Sequence, residues 1–546
     1  MLVRRPLYFR ALRSTASNQP FGTVPRARFW PPHRYQNFSS TRASRDPDPN
    51  PGSEAPPKRG DAVRSLFSRA VESAITTLSS VLVLGAGFAV SGYVYHKFYK
   101  NLQLKKIENA FEPGDPVLEL AARGKENQHP PVVHHWIQRE EQGKIDAIIN
   151  GSERGRYYVI IGDKGCGKSS MLLDAMQKVN GEGCAMFEAH SDLELFRVRL
   201  GKALDYEFHE DYIGGYFSER GPRDSSALLD IERALNKLEK VALKHRREKH
   251  KPLILIINQT QLIRDNEDGR DLLELLQQRA EQWAASSLVT MIFNTDDYWI
   301  LERFKQLATR MDIIPVTDLP KPQAMAALQR YRFTHFKETT KKEILEEIYD
   351  RVGGRLSFLH QVAKSRDMLA TCDSIMEIEK TWFLNQCWIL GSEMDDDVMD
   401  QQKWASAAMV LAQALVDKEE QMETYDPEIG HVLPSFPMHK AQQIMTRADF
   451  IRELDRLNLF TITSSAQVRA SSVPMHRAFR EICAEPGFRQ FLEDTLQRIS
   501  DIESLGRTRE LVAKDLVLGG TYHIAKAPDR SGGLEVTLKQ KEDDDD

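Results

Sequence analysis

Cysteine is scarce in this chain: there are five in 546 residues, scattered and odd in number. They are Cys166, Cys184, Cys372, Cys387 and Cys483. This spacing indicates neither a disulfide framework nor a zinc site. The formal net charge of −5 gives no sign of a polyanion partner for the chain as a whole, and the length predicts two or three domains.

Acidic residues and lysine are absent from the first 45 residues, which nevertheless contain nine arginines; the first acid is Asp46. Met1–Arg13 can form a basic amphipathic helix. This pattern is typical of a mitochondrial presequence, whose positive charge responds to the membrane potential. We predict a presequence over 1–45, with a disordered basic tail as the alternative. Residues 46–72 are predicted to form a disordered, basic linker.

Charge is also absent from the apolar stretch between Ser73 and Tyr95. As a helix it would reach about 34 Å, enough for the ~30 Å hydrocarbon core of a bilayer. We predict a single transmembrane helix over 73–95 in the mitochondrial inner membrane, followed by a stalk over 96–135. Positive charges balance on the two sides of this segment. A presequence followed by one stop-transfer span favours the intermembrane space over the matrix for the remaining chain.

The most specific motif follows the stalk. A β-branched and aromatic run, Arg156–Ile161, leads into Gly-Asp-Lys-Gly-Cys-Gly-Lys-Ser at Gly162–Ser169 and then into a helical pattern. This is a G-x-x-x-x-G-K-[ST] phosphate-binding loop in its strand–loop–helix context. Its glycines let backbone N–H groups point at phosphates, Lys168 reaches the β and γ phosphates, and the Ser169 hydroxyl ligates Mg²⁺. The predicted cofactors are ATP and Mg²⁺.

Four further strands, separated by helices, are predicted after this loop. They are Cys184–Glu188, Pro252–Ile257, Ser287–Phe293 and Asp312–Val316, and the longest helix is predicted over Ser226–His250. Strands alternating with helices predict an α/β P-loop NTPase core over 136–320, with a parallel sheet covered by helices on both faces. In such a sheet the ligand lies at the carboxyl ends of the strands.

The end of the third strand departs from the pattern of an active ATPase. Such enzymes place an Asp there to hold the Mg²⁺ shell and then a Glu to activate water, whereas this chain has Asn258 and Gln259. An amide cannot take a proton at neutral pH, and loss of a general base typically costs ~10²–10⁴-fold in rate. We predict weak or absent hydrolysis. Rescue by Glu188 after the second strand, or by Asp296 or Asp297 after the fourth, is the alternative.

Together these segments resemble the AAA+ and STAND-like ATPases, particularly the origin-recognition and archaeal-ATPase branch. The phosphate loop, the altered strand Leu253–Asn258 and the polar Asn294 after the fourth strand follow that family's order, and Arg139–Ile149 looks like its helix on the adenine side. The chain is also similar to fungal mitochondrial inner-membrane AAA proteins with a C-terminal winged helix. The resemblance covers about Trp136–Asp367.

The resemblance implies further site residues and a helical lid over 321–395. Asn294 would sense the γ phosphate. Gly353–Leu356 resembles the second sensor turn, which would place Arg355 over the nucleotide. The predicted catalytic residues are therefore Glu188, Asn294 and Arg355. The predicted binding residues are Gly162, Asp163, Lys164, Gly165, Cys166, Gly167, Lys168, Ser169 and Ser170, with Asn258 and Gln259, and the metal ligand is Ser169.

The C-terminal third predicts a winged helix over 400–500 and a tail with an acidic end over 501–546. Helices are predicted over Gln402–Leu415 and Arg447–Leu457, the second capped by Thr446, and hairpin strands over Leu459–Thr463 and Val468–Ser472. The second helix balances three acids against three arginines, so it lacks the charge that a phosphate backbone requires. Nucleic acid is not an expected partner, and packing against the ATPase core or a partner protein is favoured.

The leading interpretation is a membrane-anchored ATP-binding switch, in which nucleotide sets the geometry between core, lid and winged helix. One alternative is an active AAA+ ATPase that remodels proteins or membranes as a homo-oligomeric ring. Another is a factor that organises mitochondrial DNA. The expected partners are ATP and the inner membrane, and the sequence does not identify a protein partner.

Overall fold

A computed structural model of the chain describes residues 59–114, 118, 137, 139–208, 226–391, 393–394, 396–515, 521–525 and 533–537. The predicted presequence over 1–45 lies outside these residues, as do residues 46–58 of the predicted linker and most of the stalk after residue 114. The described chain divides into two units between Val83 and Leu84.

The first described element is helix α1, Arg59–Asn109. It contains the predicted span over 73–95, where apolar side chains such as Val83 are exposed. Within the described part of the chain, the segment Val71–Asn109 is the one helix long and apolar enough to cross a membrane. The described fold therefore carries one candidate apolar helix before the parallel sheet, as predicted.

The second unit contains a five-stranded parallel sheet with the strand order β2-β3-β4-β1-β5. Its strands are β1 (Tyr157–Gly162), β2 (Cys184–Glu188), β3 (Leu253–Asn258), β4 (Val289–Thr295) and β5 (Met311–Val316). Successive side chains of a strand enter opposite faces, and here Val159 joins one hydrophobic core while Ile160 joins the other. Both faces are therefore covered, which confirms the α/β prediction.

Helices cover this sheet on both faces. They are α2 (Glu140–Ile149), α3 (Lys168–Lys178), α4 (Leu193–Ala203), α5 (Ala227–Lys249), α6 (Glu267–Ser286) and α7 (Tyr298–Lys305), with a 3₁₀ turn at Thr260–Leu262. The Ser226 side chain caps α5 by accepting a hydrogen bond from the Leu229 N–H.

The stalk predicted over 96–135 overlaps this core, because Ile107 and Phe111 are buried in it.

A helical lid follows β5, as predicted. Its helices are α8 (Lys321–Phe336), α9 (Lys342–Val352), α10 (Leu356–Lys364) and α11 (Met368–Gln386). They enclose a core of their own, to which Leu328, Ile348 and Val362 belong. A separate core lets the lid form a distinct layer beside the sheet.

The C-terminal part forms the predicted winged helix around a three-stranded antiparallel sheet in the order β8-β10-β9. The strands of this sheet are β8 (Ser435–Pro437), β9 (Phe460–Ile462) and β10 (Gln467–Ala470). Two separate two-stranded sheets are formed by β6 (Tyr425–Asp426) with β7 (Gly430–His431) and by β11 (Thr521–Ala525) with β12 (Gly533–Thr537). The helices are α12 (Met399–Glu419), α13 (Met438–Met445), α14 (Phe450–Arg456), α15 (Val473–Cys483) and α16 (Phe488–Asp515), and a 3₁₀ turn spans Asp396–Val398.

The predicted start of the second winged-helix helix is wrong. Thr446 does not cap it; instead Thr446 ends α13 with a φ of +57°. A left-handed residue stops a helix, so α14 begins at Phe450. The predicted tail over 501–546 also contains the end of α16 and the β11–β12 hairpin.

Candidate functional site

The phosphate loop joins β1 to α3 in a shape that depends on its glycines. Gly165 and Gly167 have φ angles of +83° and +103°, which side chains disfavour. A Cβ on Gly165 would lie 2.4 Å from Ser357 Oγ, and one on Gly167 would lie 2.7 Å from Leu356 Cδ1. The lid therefore packs directly on the loop. No described residue accepts a hydrogen bond from the Gly165 or Gly167 N–H, so both donors remain for an anion at the start of α3.

Lys168 is buried at the start of α3. Its Nζ donates to Gly162 O at 2.8 Å and Asp163 O at 2.9 Å, and it lies 2.5 Å from Asp296 Oδ1. Gln261 Nε2 donates to the second Asp296 oxygen at 3.0 Å. Asp296 follows β4, so this ion pair connects the loop to the neighbouring strand end. A phosphate that binds Lys168 must compete with this carboxylate.

Three side chains meet at the carboxyl ends of the central strands. Ser169 Oγ donates to Asn258 Oδ1 at 2.9 Å, and Asn294 Nδ2 donates to the same oxygen at 2.6 Å and to Ser169 Oγ at 3.0 Å. Ser169 Oγ thus keeps one lone pair. Asn294 Oδ1 is buried without a described partner. Asn294 lies within β4 rather than after it, because the strand extends to Thr295.

These residues border a cleft with a volume of about 710 Å³, in the usual range for small-molecule sites. The phosphate loop and the strand ends contribute polar groups, with Lys168, Ser169 and Gln259. The lid contributes a largely apolar and aromatic surface, and its residues, together with Ile137, are Ala327, Leu328, Tyr331, Leu356, Leu359, His360 and Ala363. Sequence reasoning missed Tyr331 and His360, because no motif marks a side chain that a lid helix brings in.

Most of the predicted binding residues line this cleft. They are Lys164, Gly165, Gly167, Lys168, Ser169, Ser170 and Gln259, together with Asn294. Asn258 connects to the cleft through its bonds to Ser169 and Asn294. Gly162, Asp163 and Cys166 do not line it.

Glu188 does not line the cleft, although its backbone pairs with Asn258. It ends β2, which is an edge strand separated from β1 by two strands, β3 and β4. Its side chain is 53% exposed, and its carboxylate lies 4.0 Å from Arg199. The expectation that Glu188 enters the nucleotide crevice is therefore not met, because its side chain is exposed beside Arg199 at the edge of the sheet.

Arg355 also lies outside the residues that line the cleft, so the expectation that it covers the nucleotide is not met. The side chain is 2% exposed. Its guanidinium donates to Asp163 Oδ2 at 2.7 Å, to Asp318 Oδ1 at 2.9 Å and to the Ser471 carbonyl at 2.6 Å. These acceptors compensate a buried charge that would be costly to bury alone.

Asp163 is the centre of this buried network. Arg355, which precedes α10 of the lid, and Arg469, in β10 of the winged helix, each donate to its Oδ2 at 2.7 Å. Burial alone would raise the pKa of Asp163, but Arg469, Arg355 and Lys168 lower it below its usual value. The second residue of the phosphate loop therefore bonds to the lid and the winged helix at once.

A second polar contact between the core and the winged helix is acidic. Asp455 of α14 is buried and accepts hydrogen bonds from the Tyr298 and Ile462 N–H groups, both at 3.0 Å. Asp297 is also buried, and its Oδ2 has no described partner. Burial and the nearby charge of Asp296 raise the pKa of Asp297 to about 6. Burial and Asp297 raise the pKa of Asp455 well above its usual value.

Replacing Asp297 with asparagine is expected to stabilise the protein above pH 6 and to leave it nearly unchanged at pH 4. The folded-state pKa of about 6 exceeds the ordinary value of 3.8. The folded state therefore binds the proton more tightly, and stability falls as pH rises from about 4 to 6. The ionised Asp297 lowers the free energy of unfolding by on the order of 3 kcal/mol, at ~1.4 kcal/mol per pKa unit. The midpoint of thermal unfolding at pH 4 and pH 8 measures it.

The matched control is Asp494→Asn, which changes an exposed residue of α16. It is expected to leave the midpoint nearly unchanged at both pH values. Equal midpoints for Asp297→Asn and the parent protein at pH 8 would contradict the assignment of a strained, ionised carboxylate at this contact.

Two family profiles match the chain. Residues 135–291 match the AAA ATPase domain, and residues 385–503 match the C-terminal winged helix domain of fungal AAA proteins. The predicted winged helix over 400–500 lies within the second match. The chain therefore combines a nucleotide-binding AAA+ domain with a winged helix. No curated protein matches the chain significantly.

Solved structures with similar folds are distant in sequence. The Walker-type ATPase PABY2304 of Pyrococcus abyssi is 12% identical, with 63% of this chain and 96% of that chain covered and a TM-score of 0.41. The Orc1 protein of Aeropyrum pernix in complex with DNA is 11% identical, with 63% and 93% covered and a TM-score of 0.32. AMPPCP-bound DnaA of Aquifex aeolicus is 10% identical, with 67% and 96% covered and a TM-score of 0.29.

Proposed function

We propose that this chain, an AAA ATPase domain joined to a fungal-type winged helix, is a membrane-anchored switch that binds ATP and hydrolyses it slowly or not at all. The observation that carries the proposal is the pair of amides at the end of β3. Asn258 and Gln259 stand where an active ATPase needs two carboxylates. The other parts of a nucleotide site surround them.

The cleft offers suitable contacts to both the phosphates and the base of ATP. The free N–H groups of the loop and Lys168 suit the phosphates, and the largely apolar surface of the lid suits a base. Among the described residues, no cluster of His, Cys, Asp or Glu could hold a metal by itself. Mg²⁺ bound to phosphates needs few protein ligands, and the remaining lone pair of Ser169 Oγ fits that role. The bound ion would neutralise phosphate charge.

We expect weak hydrolysis because no carboxylate that lines the cleft is available to act as a general base. Asp296 is the single carboxylate among the residues that line the described cleft, and its charge is taken by Lys168 and Gln261. Glu188 does not line the cleft. A water molecule at the γ phosphate would therefore lack a free base of the required kind.

Asp296 is also the observation that favours the alternative, an active ATPase. If a triphosphate draws Lys168 away, the Asp296 carboxylate is released within the cleft. It could then accept a proton from water, which would restore part of the lost rate.

The network at Asp163 supports a route from nucleotide to the winged helix. Asp163 lies five residues before Lys168 and bonds to Arg469, so a change in loop geometry alters a buried ion pair with β10. Breaking a buried charge pair is costly. The loop and β10 are therefore expected to move together.

The contacts of α14 argue for packing within the protein rather than for DNA binding. Arg452 donates to Glu302 at 3.0 Å, and Asp455 accepts from the Tyr298 N–H. Both partners belong to the ATPase core. With this helix against the core and balanced in charge, a nucleic-acid partner is not part of the proposal.

The anchor and the compartment come from the N-terminal sequence. The charge-free helix over 73–95 would span the inner membrane once, and the arginine-rich, acid-free residues 1–45 would direct the chain to mitochondria. We place the soluble domains in the intermembrane space, with the matrix as the alternative.

Replacing Arg469 with glutamine is expected to uncouple the winged helix from the nucleotide while ATP still binds. In the parent protein, ATP should change amide hydrogen exchange in β9 and β10 as well as in the phosphate loop. In the variant, the change in the loop should remain and that in β9–β10 should be lost, because the link to Asp163 is gone. Hydrogen exchange with and without ATP measures both.

Lys440→Gln is the matched control, since Lys440 is an exposed residue of the same domain. It should respond to ATP like the parent. An ATP response in β9–β10 that survives Arg469→Gln, or one that is missing from the parent protein, would contradict the proposed route.

A further inference from the structure

A second polar cavity lies between the lid and the winged helix. Its volume is about 480 Å³, and it shares no lining residue with the nucleotide cleft. Five basic or histidine side chains converge on it. They are Lys321 at the start of α8, His431 of β7, and His476, Arg477 and Arg480 of α15. The last three lie on one face of α15, because positions three and four apart are neighbours on a helix.

The two carboxylates that line this cavity do not form ion pairs with all of these basic side chains. Glu419 lies 3.0 Å from His476 Nε2 and 3.1 Å from the Arg480 guanidinium. Asp350 lies 3.7 Å from Lys321 Nζ and 3.8 Å from His431 Nε2. Two carboxylates thus face three permanent cations and two histidines.

One buried side chain and one partly buried side chain have no carboxylate or acceptor for all of their polar atoms. His476 is 2% exposed, and its Nδ1 has no described partner. Arg477 is partly buried; the hydrogen bond that it donates goes to the Asp350 backbone carbonyl at 2.6 Å. No described carboxylate lies within ion-pair distance of Arg477. Buried polar groups such as His476 are normally satisfied, and the Arg477 cation has no described carboxylate beside it, so both point to a ligand that supplies acceptors and negative charge.

We propose that this cavity binds a small phosphate-bearing molecule, either free phosphate or a phosphate monoester. Arg477, Arg480 and Lys321 donate to the phosphate oxygens, which suit guanidinium and ammonium groups. The cavity is larger than a phosphate ion, and Tyr425 and Val432 on its wall offer contact to an organic remainder. Because the donors come from both lid and winged helix, the ligand would hold these two domains together.

The test is calorimetric titration of the full chain in detergent with phenyl phosphate and with inorganic phosphate. Lys168→Ala is the background, so that the nucleotide cleft does not bind the probe. Binding is expected to persist in this background and to weaken at least about tenfold when Arg477→Gln is added. Arg480→Gln, at an exposed position, should weaken it as well without disturbing the fold. Lys440→Gln is the matched control and should bind like the background.

The relative affinities of the two probes identify the ligand. Tighter binding of phenyl phosphate identifies a phosphate monoester, and equal binding identifies free phosphate; both support the site. No binding in the Lys168→Ala background, or binding that neither Arg477→Gln nor Arg480→Gln weakens, overturns it. The thermal unfolding midpoint of each variant shows that a loss of binding is not a loss of fold.

Discussion

ATP turnover is expected to rise by about 10²–10⁴-fold when Asn258 and Gln259 are replaced together by Asp and Glu. The new Asp would still accept hydrogen bonds from Ser169 and Asn294, whose positions around this site are already set. It would add the charge that holds a metal shell. The new Glu would supply the base that is missing from the cleft. Release of phosphate from ATP by the purified full chain measures the gain.

The matched control for this gain is Gln306→Glu, which adds an acid at an exposed position after α7. It should leave turnover unchanged. Turnover of the parent near 1 s⁻¹ or faster, within the usual enzyme range of ~1–10³ s⁻¹, would contradict weak hydrolysis. If the double variant bound ATP normally but gained no rate, the amides would not be what limits the reaction.

Replacing Lys168 with alanine is expected to weaken ATP binding by roughly 10–100-fold, the usual effect of losing a charge-assisted hydrogen bond. Lys168 is buried and lines the cleft, and no other described lysine lies at the start of α3. Titration with a fluorescent ATP analogue measures the affinity. The variant also leaves Asp296 without its cation, which adds repulsion toward the phosphates.

Two further variants separate these effects. Lys178→Ala removes an exposed lysine at the other end of α3 and should leave affinity unchanged. Adding Asp296→Asn to Lys168→Ala removes the unpaired charge, and the double variant should recover only part of the affinity. If Lys168→Ala bound ATP as tightly as the parent, the phosphate loop would not be the nucleotide site, and the switch proposal would fail with it.

The phosphate loop and the α/β core could be predicted because their signals are local. The loop's glycines precede Lys168 and Ser169 at a fixed spacing, and the apolar run of β3 predicts a buried strand. The winged helix was predictable from its hairpin for the same reason. The start of α14 was not, because the left-handed turn at Thr446 depends on how α13 ends.

The fate of individual side chains was less predictable. Glu188 and Arg355 are both near the loop in the expected order of elements, yet neither lines the cleft. Strand order places Glu188 at an edge, and three buried acceptors draw Arg355 into a network with Asp163. Asp296 was foreseen only as an alternative base, whereas the structure pairs it with Lys168.

The sequence by itself determined the kinds of domain in this protein and the amides at Asn258 and Gln259, because motifs, periodicity and residue identity are written along the chain. Only the tertiary structure decided which charges meet. Arg469 lies 306 residues after Asp163 in the chain, and His476 and Arg477 face Lys321 across a domain boundary. Ion pairs and cavities of this kind form between segments that are distant in the chain. The residues that meet there depend on how complete domains pack, and a local sequence pattern does not predict this packing.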